Sequence, residues 1–169
     1  MEKIVIDTNV VIGAFISPNG VSAVAIEKVY SDDGIEIYYN EKMLAEYRKK
    51  LTHSKFEKYS FDIKEIENII AKTRDVGVLV EPTTSDIHIR DEDDRVFYDT
   101  AKESGAVLIT WDKDLLELNE DFIMKPSEYM NEYRQTIEAQ QRENRVRGIG
   151  QSRHIDKQKG IGFELEDVE

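Results

Sequence analysis

Cysteine is absent from the chain, which excludes disulfides and thiolate metal sites and fits a reducing interior. The three histidines, His53, His88 and His154, are scattered and unpaired, so no histidine pair offers the spacing of a zinc site. No apolar run approaches the roughly 18 residues of a membrane span, and "MEKIVIDTN" lacks the long apolar core of a secretory signal. No membrane association is expected, and a cytoplasmic location is. Basic residues are also scarce: 23 Lys and Arg face 35 Asp and Glu, a net charge of −12. Such a surface favours solubility and repels nucleic acid and anionic membranes unless cations intervene.

What is present is enough for one core. At 169 residues with 40% apolar content, the chain can build one domain of ordinary size but not two. "KIVID" is a continuous apolar, β-branched run ending in Asp7, the pattern of a buried parallel strand. "SPNG" breaks the chain, and Val21, Val24, Ala25 and Val29 predict the first helix. "IEIYY" predicts a second strand, after which Asn40 can cap a helix with Met43, Leu44, Tyr47 and Leu51 on one face. A short helix over "HSKFEKY" follows, then one opened by the capping pair Asp62 and Glu65 and closed by Gly77, then a brief strand at "VLVEP".

Val96, Phe97, Thr100 and Ala101 share one helix face that ends at Gly105, "AVLIT" predicts another strand, and "WDKDLL" a short helix. "FIM" reads as an edge strand, with Ser127 capping a closing helix. Alternating strands and helices argue for an α/β fold with a central, mainly parallel sheet covered on both faces. Residues 1–131 are expected to form the domain. Residues 132–169 turn polar and Gly-rich, with a locally basic stretch from Arg142 to Lys159, and read as a solvated helix running into a flexible tail.

The chemistry lies in the acids. Asp7 and Asp112 each follow an apolar strand, and strands of a parallel sheet end on the same side, so both carboxylates face the crevice where such sheets bind ligands. "RDEDDR", from Arg90 to Arg95, adds four consecutive acids ahead of a helix. Two unit charges about 4 Å apart interact by roughly 4 kcal/mol at an effective dielectric near 20, so clustered carboxylates take up protons or bind a cation. All-oxygen donors without Cys or paired His favour Mg²⁺ or Mn²⁺ over zinc. An acidic run ahead of a helix also serves as a cap favoured by the helix dipole, the reading preferred for Asp91 and Glu92. Glu46, at the edge of its helix's apolar face, would ordinarily be a solvated side chain.

Four blocks, taken in order, resemble the PIN-domain nucleases, in particular the ribonuclease toxins of prokaryotic toxin–antitoxin pairs. "IVIDTNVVIGAF" is similar to the family's opening strand with its Asp-Thr-Asn, "NEKMLAEYRKKL" to its first acidic helix, "RDEDDRVFYDTAKESGAVLITWDKDLL" to its acid–helix–strand–acid succession, and "FIMKPSEYM" to its closing strand and helix. The match spans about residues 3 to 130. The resemblance implies a three-layer α/β/α fold and a divalent-metal-dependent endoribonuclease acting on RNA phosphodiester bonds. It implies that Asp7, Glu46, Asp94 and Asp112 hold Mg²⁺ or Mn²⁺, with Thr8 and Asn9 fixing the first carboxylate. A cognate antitoxin and a homodimer are the implied protein partners. Trp111 departs from the pattern, standing where a small residue, often Gly, precedes the fourth acid. It is expected to pack, although a base could stack on it.

Other functions remain compatible with the residues alone. A housekeeping PIN nuclease in RNA processing needs the same acids. A phosphatase or other phosphoryl-transfer domain would use Asp7 as an acceptor, but Asn9 stands where its second Asp is needed. A non-catalytic interaction module would not need all four acids intact.

Overall fold

The computed structural model describes residues 1–151; the Gly-rich, basic segment beyond Gln151 lies outside the described residues. The chain divides into two units, Met1–Glu132 and Tyr133–Glu169. In the first, strands β1 (Glu2–Ile6), β2 (Ile35–Tyr39), β3 (Val78–Leu79), β4 (Val107–Ile109) and β5 (Ile123–Met124) form one sheet in the order β3-β2-β1-β4-β5. Every neighbouring pair is parallel. Ile4, Val5 and Ile6 of β1 are all buried. Successive strand residues point to opposite faces, so helices cover both sides of the sheet, giving three layers.

Helix α1 (Thr8–Ile16) begins after the single residue Asp7 that follows β1, in a stretch to which no element is assigned from sequence. "TNVVIGAFI" is apolar nearly all round, so it shows none of the polar-to-apolar alternation that marks a surface helix. Helix α2 (Val21–Ser31) follows the break at Ser17–Gly20. The Asn40 side chain accepts from the Lys42 amide at 2.9 Å and opens α3 (Glu41–Leu51). "SKFEKY" is a 3₁₀ helix rather than an α-helix, and Asp62 caps α4 (Ile63–Val76) through the Lys64 amide at 2.8 Å.

Helix α5 (Arg95–Ser104) continues a 3₁₀ turn, Glu92–Asp94, and ends at Gly105, whose φ of 67° is the left-handed conformation glycine adopts without strain. Helix α6 (Lys113–Leu116) is a single turn. The last helix, α7 (Pro126–Gln151), opens at Pro126, so Ser127 lies inside it and is not the cap. Proline suits that first position because its missing N–H would have no helical partner. Glu128 reaches back instead, accepting from the Lys125 amide at 3.0 Å. In the second unit the α7 sequence is mostly polar, with exposed ion pairs Glu138–Arg142 and Glu143–Arg147 one turn apart.

Two contacts position the site end of the sheet. The Tyr47 hydroxyl of α3 donates to the Ile6 carbonyl at 2.5 Å, and its ring stacks on Phe97 of α5 at 6.4 Å between centroids. They bind α3 and α5 to the carboxyl end of β1. Among the described residues no single helix is long and apolar enough to cross a membrane.

Candidate active site

The order β3-β2-β1-β4-β5 reverses direction at β1, so the crevice between the carboxyl ends of β1 and β4 is the topological switch point at which such sheets bind ligands. Asp7 follows β1 there, only 1% exposed. Its backbone N–H donates to the Ile109 carbonyl at 3.0 Å, which fixes the residue against the end of β4. Burial raises the Asp7 carboxyl to about 6, against the lowering hydrogen bond from Thr110, while the charges of Asp112 and Glu46 raise it further.

Thr110 ties the two strand-end acids together. Its Oγ1 donates to Asp7 Oδ2 at 2.7 Å and accepts from the Asp112 amide at 2.8 Å. Asp112 caps α6 in turn, and both cap bonds, from the Asp114 and Leu115 amides at 2.8 and 3.2 Å, end on its Oδ1. No hydrogen bond among the described residues ends on its Oδ2.

Asp94 enters from the start of α5, where a helix that crosses back over the sheet begins at the strands' carboxyl edge. Its side chain is 8% exposed and makes no capping hydrogen bond. Burial raises its carboxyl to about 8, with the charges of Asp7, Asp112, Asp91 and Glu46 adding in that order. A largely buried carboxylate that accepts no hydrogen bond among the described residues, pressed by other carboxylates, gains from a proton or a cation.

Glu46 is half-buried on α3 and accepts from the Thr8 hydroxyl at 3.1 Å. Burial raises its carboxyl, and the Thr8 bond and the Lys50 charge lower it. Thr8 thus orients Glu46 with its side chain rather than Asp7, because the hydroxyl at the start of α1 points toward α3. Asn9 lies beside Asp7, its Nδ2 reaching Oδ2 at a long 3.4 Å. Thr110, unassigned in the sequence reading, is the stronger support for the first acid. Its cue was present: a hydroxyl residue at the end of a buried strand, two positions before an acid.

The other acids of the run have local work. Asp91 accepts from the Asp93 amide at 3.0 Å and caps the 3₁₀ turn, and Glu92 is paired with Arg95 through both carboxylate oxygens, at 2.6 and 2.8 Å. Beside Glu46 a cleft of about 400 Å³ opens between α3 and the start of α5, with Lys42 and Lys49 on its wall. It flanks the acid cluster without including Asp7, Asp94 or Asp112.

A model of the PIN domain family matches residues 3–114, a span that contains all four candidate acids. The chain belongs to the PIN domain family. PIN domains are nucleases, so the crevice lies where hydrolytic chemistry is expected. A relative from Methanocaldococcus jannaschii, described as an uncharacterized protein, is 37% identical over 119 residues, 70% of this chain and 76% of that one. Among solved structures, VapBC-1 from nontypeable Haemophilus influenzae aligns with a TM-score of 0.51 at 14% identity, covering 74% of this chain and 98% of the matched one. That likeness is one of fold.

The residues present fit the divalent metals that PIN nucleases generally use. Asp7, Asp94 and Asp112 are coupled by their charges, their donors are all oxygen, and among the described residues the Asp94 carboxylate accepts no hydrogen bond. Among the described residues no three acidic or imidazole groups already stand in chelating geometry. Mg²⁺ does not require such a cage, because it keeps several waters and binds through one or two carboxylates together with substrate phosphate.

Proposed function

We propose that this PIN nuclease is a divalent-metal-dependent endoribonuclease, with Asp7, Glu46, Asp94 and Asp112 as the catalytic acids. The observation that carries the reading is the largely buried Asp94, whose carboxylate accepts no hydrogen bond among the described residues and meets the charges of Asp7 and Asp112. Mg²⁺ or Mn²⁺ bound there would activate a water and neutralise charge on the phosphate. The chain's own part is positioning. Thr110 holds Asp7 and the Asp112 backbone in register, Thr8 holds Glu46, and Asn9 touches Asp7. The cap on Asp112 Oδ1 fixes that side chain and uses only one of its two oxygens. Burial of Asp7 and Asp94 strengthens their pull on any cation, since few waters compete.

The solved structure of like fold is that of VapBC-1, and with the resemblance of the four sequence blocks to toxin nucleases it supports a toxin held by a cognate antitoxin as the biological setting. A housekeeping role in RNA processing would use the same residues. The proposed nuclease domain comprises residues 1–131, with 132–169 as an appended segment, in a cytoplasmic protein able to pair with a second copy. Cleavage of a mixed single-stranded RNA pool by the full chain, with Mg²⁺, Mn²⁺ or chelator, tests the activity. Metal-dependent internal cuts are expected, lost in Asp7→Asn and Asp112→Asn with unchanged circular dichroism. Full cleavage by either variant would refute the assignment.

A further inference from the structure

The acid cluster accounts for how a phosphate could be held but not for how a base is. With a net charge of −12 the surface offers a polyanion little general attraction, so contacts that do not depend on charge gain weight. Trp111 stands one residue before Asp112, its Cα about 3.8 Å from that of the acid. It is 37% exposed and is the chain's only tryptophan.

The ring is fixed rather than loose. Its Nε1 donates to Ser22 Oγ, at the start of α2, at 2.8 Å. That approach depends on Gly13: a Cβ there would come within 2.8 Å of Ser22 Oγ and 4.0 Å of the indole nitrogen. Glycine weakens a helix interior, so its presence inside α1 is explained by this close approach. The backbone on either side is tied as well, through the Thr110 amide to the Met124 carbonyl at 3.0 Å and the Asp112 amide to Thr110 Oγ1 at 2.8 Å. With its polar atom satisfied inside the protein, the indole has no unmet polar group to turn to solvent.

Building on the nuclease reading above, we propose that Trp111 is the stacking platform for an unpaired base of the RNA, beside the phosphate held at Asp112. An indole held by its edge needs no further ordering when a base lies on it, and stacking accepts any base because each has a π face. A duplex keeps those faces within its own stack, so the platform selects single strands. Trp111 would act as a positioning residue through substrate binding and not through the reacting atoms.

Because the chain has one tryptophan, its emission reports this ring alone. The full-length Asp7→Asn protein with Mg²⁺ is titrated with a short labelled single-stranded RNA, following label anisotropy and indole emission together. Quenching that saturates with anisotropy is expected, and weaker quenching by the same sequence as a duplex. In the otherwise wild-type protein, Trp111→Ala should raise KM roughly tenfold with a smaller effect on kcat, and Trp111→Phe should recover much of the loss. Binding without an emission change, a wild-type KM in Trp111→Ala, or emission that follows protein concentration instead of RNA would each overturn the platform. Cleavage by wild-type protein alongside unchanged emission leaves the nuclease reading standing. Quenching without any cleavage supports the platform and removes the nuclease. A chain that neither binds nor cuts RNA overturns both.

Discussion

One hydroxyl, on Thr110, serves two acids that are 105 positions apart in sequence, donating to Asp7 and accepting from the amide of Asp112. Replacing Thr110 by Val keeps the branched shape and removes both bonds. Residues that orient metal-site carboxylates typically contribute 10- to 100-fold, so cleavage by Thr110→Val should fall by about that factor with the fold retained. The Thr110 bond lowers the Asp7 carboxyl against its burial, so its loss raises that carboxyl above about 6. The acid limb of kcat/KM against pH should therefore move to higher pH in the variant. A parallel profile, reduced in height alone, would show that Thr110 acts on geometry and not on Asp7's charge.

At the scale of elements, α6 is a single turn that depends on its cap. Asp112 accepts from two of its amides, and Asn can do the same while Ala cannot. Both substitutions should abolish cleavage, but Asp112→Ala should cost about 1 kcal/mol of stability and Asp112→Asn little, as measured by urea unfolding. Equal stability of the two variants would remove the cap from the explanation. Strands β1, β2 and β4 were legible as short apolar, β-branched or aromatic runs, and helices α3 to α5 because each pairs a clean apolar period with a cap, at Asn40, Asp62 and Gly105. Helix α1 was not, since a helix apolar in sequence nearly all round shows no period, and Ser127 misled because Pro126 already opens α7. Asp7 and Asp112 could be placed at one edge from strand ends alone. Glu46 and Asp94 needed the family resemblance, for nothing in a local pattern says that α3 leans over α1 or which end of α5 meets the crevice.

Across the whole molecule, the raised carboxyls of the acid cluster couple fold stability to pH and, on the proposed reading, to metal. Asp7, raised to about 6, and Asp94, raised to about 8, both lie above their unfolded values near 4. Between about pH 4 and pH 8 the native protein then holds more protons than the unfolded chain, so without metal its stability falls as pH rises through that window and levels off above it. With Mg²⁺ the cation replaces those protons, and the fall should be reduced or reversed, read as Tm from pH 5 to 8.5 in chelator and in Mg²⁺. Coincident curves would mean that no ion enters. The central claim, that one dication resolves the repulsion among these carboxylates, is tested most directly by titration calorimetry of Mn²⁺ into the full chain at pH 7 in buffers of differing ionisation enthalpy. Asp94 is largely protonated at that pH and Asp7 largely not, so binding should release about one proton. Asp94→Asn should weaken binding at least tenfold and abolish the release. Undiminished Mn²⁺ binding by Asp94→Asn, or binding by the wild-type chain with no proton released, would contradict the claim.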